Sequence, residues 1–183
     1  MRVLDTEISV VKIIEPTIFK DERGHFFEAY NAKKFEDALG FKPEFTQSNE
    51  SLSKQGTIRG LHLQRGKSSQ SKLVRVVVGK VLDVAVDCRP TSNSFGKHVA
   101  IELSGDDHRQ LFIPKGFAHG FQVLSDYCIL SYQVDAAYDP SSEITINAMD
   151  PALGIEWVKL NDCFLSKKDG SATLFSKVFN ETS

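Results

Sequence analysis

The sequence predicts an all-β protein, a sandwich or barrel with short peripheral helices. Three observations carry that reading. Segments with a two-residue apolar/polar period recur from Ile58 onward, Gly-, Ser- and Asp-rich turns separate them at regular spacing, and no long helical stripe lies between them. A parallel sheet needs crossover helices, and this pattern has nowhere to put them.

Taken in order, Ile8 to Ile14 reads as a strand that Pro16 ends. Asp21-Glu22-Arg23-Gly24 is a polar turn, and His25 to Tyr30 resumes strand character. Asn31 can cap a helix, because its side chain accepts a bond from an otherwise free backbone N–H. Phe35, Ala38 and Leu39 give that helix an apolar stripe, and Gly40 suits its exit. Phe45 to Gln47 reads as a further short strand. Ser71 to Val78 is rich in β-branched residues and turns at Gly79-Lys80. Leu82, Val84 and Val86 then alternate with Asp83, Ala85 and Asp87, and Val99, Ile101 and Leu103 alternate with His98, Ala100 and Glu102. Gln110 to Ile113, Gly120 to Leu124, Cys128 to Val134 and Ile144 to Ile146 complete the strands. Beyond Asp150-Pro151-Ala152-Leu153-Gly154 the pattern loosens and suits turns and a short helix packed on the barrel.

A chain of 183 residues with no internal linker or repeat is expected to form one domain, residues 1–183. Its 22 basic and 24 acidic side chains leave a net charge of −2, so no basic surplus points to nucleic acid. Cys88, Cys128 and Cys163 are odd in number and widely spaced, with no CxxC pair, which gives neither a disulfide framework nor a zinc signal. The start, Met1 to Glu7, lacks the apolar core of a signal peptide, and no apolar run reaches membrane-spanning length. A soluble cytoplasmic protein is the expectation.

Several residues can carry chemistry. Asp83 alternates with Leu82 and Val84, so it faces either solvent or a cavity. His62 shares a strand face with Gln64, opposite Leu61 and Leu63; it is either a satisfied structural histidine or a general base. A base of this kind needs a carboxylate to fix its tautomer, and Asp83, Asp87, Asp162 and Asp169 are all candidates. Lys72 is a surface lysine, or an ammonium that holds negative charge developing on an enolate oxygen. Tyr132 is a core aromatic with a bonded tip, or a proton donor. A metal site of the His-x-His kind is incomplete, because His62-Leu63-Gln64 puts glutamine where a second imidazole belongs, so metal-free chemistry is favoured. Arg23, Arg59 and Lys72 could clamp a diphosphate, whereas P-loop and dinucleotide glycine patterns are absent.

Read together, Asp21-Glu22-Arg23-Gly24, Arg59-Gly60-Leu61-His62, Gln70 with Lys72-Leu73-Val74-Arg75, Asp83 to Asp87, Ile113-Pro114-Lys115-Gly116-Phe117-Ala118-His119-Gly120-Phe121, Tyr132, Asp150-Pro151 and Gly154-Ile155-Glu156-Trp157 resemble the dTDP-4-dehydrorhamnose 3,5-epimerase family. The resemblance implies a cupin-type jelly roll, and a homodimer whose N-terminal strands pair across subunits. It implies an enzyme without metal or cofactor, acting on a dTDP-4-keto-6-deoxyhexose in deoxysugar biosynthesis. It assigns the base to His62, its orienting carboxylate to Asp169, enolate stabilisation to Lys72 and the acid to Tyr132. His119 is implied to contact the sugar. Arg23, Phe26, Glu28, Gln47, Asn49, Arg59, Tyr138 and Glu143 are implied to bind the rest of the substrate, some from the neighbouring subunit. The chain departs from the family's pattern at Leu63, at Val158 and between Asn161 and Asp169, around Cys163 and Phe164. An epimerase of one carbon only, a non-catalytic sugar-nucleotide-binding cupin and a metal-dependent cupin dioxygenase or isomerase are the competing readings.

Overall fold

Two antiparallel sheets face one another in the computed structural model of the chain, which describes residues 1–180. In chain order the strands are β1 (Arg2–Asp5), β2 (Lys12–Glu15), β3 (Phe19–Asp21), β4 (Gly24–Phe26), β5 (Gln47–Lys54), β6 (Ile58–Gln64), β7 (Lys72–Val78), β8 (Lys80–Asp87), β9 (His98–Ser104), β10 (Gln110–Ile113), β11 (Phe117–Val123), β12 (Tyr127–Val134) and β13 (Glu143–Thr145). The helices are α1 (Ala32–Leu39), α2 (Lys167–Gly170) and α3 (Phe175–Asn180). One sheet runs β1-β2-β10-β7-β12-β5 and the other β13-β6-β11-β8-β9, while β3 and β4 form a separate hairpin. This is the cupin-type jelly roll.

The two-residue period of each strand divides its side chains between two environments. Val74 and Val76 of β7, Leu111 and Ile113 of β10, and Cys128 and Leu130 of β12 meet Val81 and Ala85 of β8, Leu103 of β9 and Phe117 of β11 between the sheets. The outer face of the five-stranded sheet is covered by the tail: Leu61, Leu63, Val84 and Val86 pack with Leu153 and Phe175. The outer face of the six-stranded sheet is covered by α1, where Phe35 joins Ile14, Leu73 and Phe112. Asn31 Oδ1 accepts from Lys34 N, and Gly40, at φ 80°, ends the helix, as the caps predict.

Three expectations need correction. The strand read over Ile8 to Ile14 is only its second half. The Val11 amide bonds to Ile8 O at 2.8 Å, and Thr6 Oγ1 reaches both Ile8 O and Val11 O, so this stretch turns before β2 begins. The strand read from His25 to Tyr30 stops at Phe26, where the pairing with β3 runs out, and Phe27 stacks against His108 instead. The strand placed at Phe45 to Gln47 starts where that reading ended and runs to Lys54, paired with β12 along its whole length. Asp83 is fully buried, which settles the choice between solvent and interior. Cys88, Cys128 and Cys163 are all free thiols. Among the described residues no helix is long and apolar enough to cross a membrane.

Candidate active site

A cavity of about 540 Å³ opens between the sheets, lined by Arg59, His62, Lys72, His119, Tyr132 and Asp169 among others. Strand β6 supplies two of these through an irregularity. His62 pairs with His119 and Arg59 with Phe121, so two residues of β6 oppose the single Gly120 of β11. This bulge turns Arg59 and His62, three residues apart, toward the same cavity. It needs glycine at its centre. Gly60 has φ 109°, and a Cβ there would stand 2.6 Å from His119 O and 2.7 Å from Gly120 Cα.

Of the four candidate carboxylates, the tail delivers Asp169. Its Oδ1 lies 2.7 Å from His62 Nε2, and only 4% of the residue is exposed. Ser166 caps the short helix α2 and accepts from the Asp169 amide at 3.0 Å, which holds the carboxylate in place. With Nε2 donating to Asp169, Nδ1 is the nitrogen left to accept a proton. Burial lowers the His62 pKa from its ordinary value, and Asp169 only partly offsets this, so the ring is neutral at neutral pH.

Lys72 and Tyr132 come from the opposite sheet, on neighbouring strands β7 and β12. Lys72 is 8% exposed, and its Nζ stands 5.9 Å from the Tyr132 ring centroid. Burial brings the ammonium pKa down to about 8, while Asp83 and Glu143 resist that fall. Burial raises the Tyr132 phenol, although the Arg59 charge pulls the other way. His119 Nε2 lies 3.0 Å from each oxygen of Asp83, a buried pair on adjacent strands β11 and β8. Gln64, on the His62 face of β6, is not a cavity residue. It bonds Ser68 O, Ala137 O and the Asp139 amide and so anchors the loop beyond β12.

The other expected binding residues fall into two groups. Gln47, Asn49, Tyr138 and Glu143 form a chain of polar contacts. Gln47 Nε2 donates to Asn49 Oδ1, the Tyr138 amide donates to Gln47 Oε1, and the Tyr138 hydroxyl donates to Glu143 Oε2 at 2.7 Å. Lys168, which lines the cavity, closes this chain at 2.5 Å from Glu143. Burial pushes the Glu143 carboxyl up, but Lys168 and Tyr138 bring it below its ordinary value. Arg23, Phe26 and Glu28 do not line the cavity. Arg23 pairs with Asp21 on the exposed hairpin, Phe26 is 66% exposed, and Glu28 pairs with Lys34. Sequence reasoning singled out neither Lys168 nor Ser51, and both line the cavity. Ser51 offered no signal, because one serine in a polar strand is unremarked. Among the described residues no group of three or more His, Cys, Asp or Glu side chains converges to hold a metal.

Comparison with known proteins identifies the family. The family model for dTDP-4-dehydrorhamnose 3,5-epimerase matches residues 5–177. The dTDP-4-dehydrorhamnose 3,5-epimerase of Salmonella typhimurium is 50% identical over 177 residues, covering 97% of each chain. A crystal structure of the dTDP-6-deoxy-D-glucose-3,5-epimerase of Legionella pneumophila in complex with dTDP-4-keto-L-rhamnose superposes with a TM-score of 0.95 at 46% identity, over 98% of this chain and 95% of that one. A histidine-to-asparagine, tyrosine-to-phenylalanine double mutant of a 3′-monoepimerase from Streptomyces bikiniensis, in complex with dTDP, superposes at 0.93 with 27% identity, over 100% of this chain and 91% of that one. The chain belongs to the dTDP-4-dehydrorhamnose 3,5-epimerase family, a family of isomerases.

Proposed function

We propose that this cavity inverts C3 and C5 of a dTDP-4-keto-6-deoxyhexose by enolisation, with His62 as base and Tyr132 as acid. One observation carries the reading: a carboxylate-oriented imidazole and a half-buried phenol come from opposite sheets to line one cavity. Inversion requires that a proton leave one face of a carbon and return to the other, and two groups on facing walls meet that requirement.

The ketone at C4 acidifies the protons on C3 and C5. His62 Nδ1 takes one of them, and the C–H electron pair passes into the C4 carbonyl to form an enolate. The Lys72 ammonium holds the charge on that oxygen. The Tyr132 hydroxyl then protonates the carbon from the other side, the carbonyl re-forms, and solvent restores both side chains. Substrate and product share one oxidation state, so the reaction needs no hydride carrier. Arg59 at the cavity suits a diphosphate oxygen. Arg23, Phe26 and Glu28 are exposed and off the cavity, which fits a homodimer in which this hairpin serves the neighbouring subunit's nucleotide.

The test is incubation with dTDP-4-keto-6-deoxyglucose in deuterated water, followed by NMR at each carbon. Deuterium should enter at C3 and C5, and Tyr132→Phe should keep partial exchange while inversion falls by roughly 10²–10⁴-fold. No exchange at either carbon in folded protein refutes the reading. Exchange at C3 alone assigns a single-carbon epimerase, the activity of the Streptomyces bikiniensis relative.

A further inference from the structure

Phe164 takes no part in the proton chemistry above, yet its ring is built into the cavity wall. Its backbone is fixed on both sides: the Phe164 amide donates to Gly56 O at 3.0 Å, and Phe164 O accepts from Ile58 N at 2.9 Å. Gly56 makes this seating possible. It has φ 77°, and a Cβ there would stand 2.2 Å from Asp162 O, so no other residue lets the tail lie so close to the β5–β6 turn. Beyond the same ring lies a second hollow of about 450 Å³, lined by Lys54, Gln55, Asp126, Lys159 and Asp162 among others. Lys54 Nζ sits 3.4 Å from the Phe164 ring centroid and backs it from outside. The ring is thus a partition between two spaces.

Phe164 shares the cavity lining with the apolar side chains of Ile58, Phe121 and Leu165 as well as with the acid–base groups. In a 4-keto-6-deoxyhexose the C6 methyl is the one apolar substituent, and every other ring carbon carries oxygen. We infer that Phe164 is a specificity-determining residue: its ring, backed by Lys54, receives the C6 methyl and limits the size of the substituent on C5. This rests on the epimerase reading above and adds the group that the wall selects.

The experiment compares kcat/KM for C5 exchange on dTDP-4-keto-6-deoxyglucose and on its homologue with ethyl in place of methyl on C5. Wild-type protein should prefer the methyl substrate by roughly 10–200-fold, the discrimination one methylene commands in an apolar pocket. Phe164→Ala should bring the ratio close to one by raising the rate on the ethyl homologue, and Phe164→Leu should fall between. Should Phe164→Ala not fold, Phe164→Leu and Lys54→Ala carry the test, the latter by freeing the ring to yield. An unchanged ratio in the folded variants, or no preference in wild-type protein, overturns the inference alone. Wild-type protein inactive on the methyl substrate overturns the epimerase reading and this inference with it.

Discussion

The pH dependence of turnover should be set by two cavity groups with opposite requirements. Burial lowers the Lys72 ammonium from 10.5 to about 8, which corresponds to about 3 kcal/mol against the charged form. Enolate stabilisation needs that charge, so activity is lost as pH rises through about 8, falling tenfold for each further unit. His62 must be neutral to accept a proton, and burial holds it below its ordinary value of 6.5, so activity is lost as pH falls through a point below 6.5. Tyr132 stays protonated across this window, because burial raises it above 10.0. The profile of kcat/KM should therefore be a bell with its alkaline limb near 8. Two substitutions assign that limb. Lys72→Arg keeps a charge that does not titrate, so the limb should vanish while the maximum falls. Asp83→Asn removes a carboxylate that favours the charged lysine, so the limb should move below 8. An alkaline limb above 10 in wild-type protein, or one that stays near 8 in Lys72→Arg, refutes the assignment of this limb to the ammonium.

Three further outcomes follow from the geometry. Asp169→Asn offers His62 Nε2 an amide in place of a carboxylate and disfavours the tautomer that exposes a basic Nδ1; kcat/KM should fall roughly 10²–10⁴-fold while calorimetry finds dTDP affinity little changed. Gly60→Ala sets a methyl against the β11 backbone at 2.6 and 2.7 Å and should lower the free energy of unfolding, read from urea titration, by at least about 2 kcal/mol, with activity lost even where the protein remains folded. Burial pushes the Asp87 carboxyl up, but Arg89, Ser92 and Ser94 outweigh that and hold it to about 2. Its folded pKa lies below the unfolded 3.8, so about 2 kcal/mol of stability is present above pH 3.8 and is lost as pH falls from 3.8 toward 2. Asp87→Asn should remove that increment at pH 7 in urea titrations and flatten the acid dependence.

How far the sequence reveals the fold depends on whether a segment's neighbours are themselves apolar. Strands β8 and β9 are legible because apolar residues recur at every second position along them, whereas β10 and β11 are buried along their whole length, and β11 starts at Phe117, three residues before the strand read from Gly120. Helix α1 is legible because Asn31 and Gly40 bracket it. Strand β5 reads Gln-Ser-Asn-Glu-Ser-Leu-Ser-Lys, with Ser53 its one buried residue, and no hydrophobic period announces it. It forms at the sheet edge through full pairing with β12. Its polarity has a physical cause, since Ser51 looks into the cavity and Gln47 and Asn49 join the polar chain that ends at Lys168. Among the carboxylates, Asp169 could not be ranked above Asp83 from local pattern, because it meets His62 across 107 residues of chain. The resemblance to the family named it, and the packing of the tail over β6 supplies the reason.

The bulge in β6 marks where local reasoning about faces has to stop. Strict alternation sets His62 with Gln64 and against Leu61 and Leu63, and that much holds: both leucines pack under the tail. Carried one step further back, the same rule would put Arg59 with the leucines, on the outer face. The structure puts Arg59 at the cavity instead, its Nε bonded to Ser53 Oγ at 2.9 Å, because the ladder slips by one residue between Arg59 and His62. That slip needs a residue free to take a positive φ within 3 Å of a neighbouring backbone, and Gly60 is that residue. Gly120 opposite is constrained by space alone, since a Cβ on it would stand 2.7 Å from Arg59 O. Two facing glycines in separate motifs, Arg59-Gly60-Leu61 and His119-Gly120-Phe121, therefore act as one structural device. They bring Arg59 and the proposed base His62 onto one wall, where a regular strand would present only one of them.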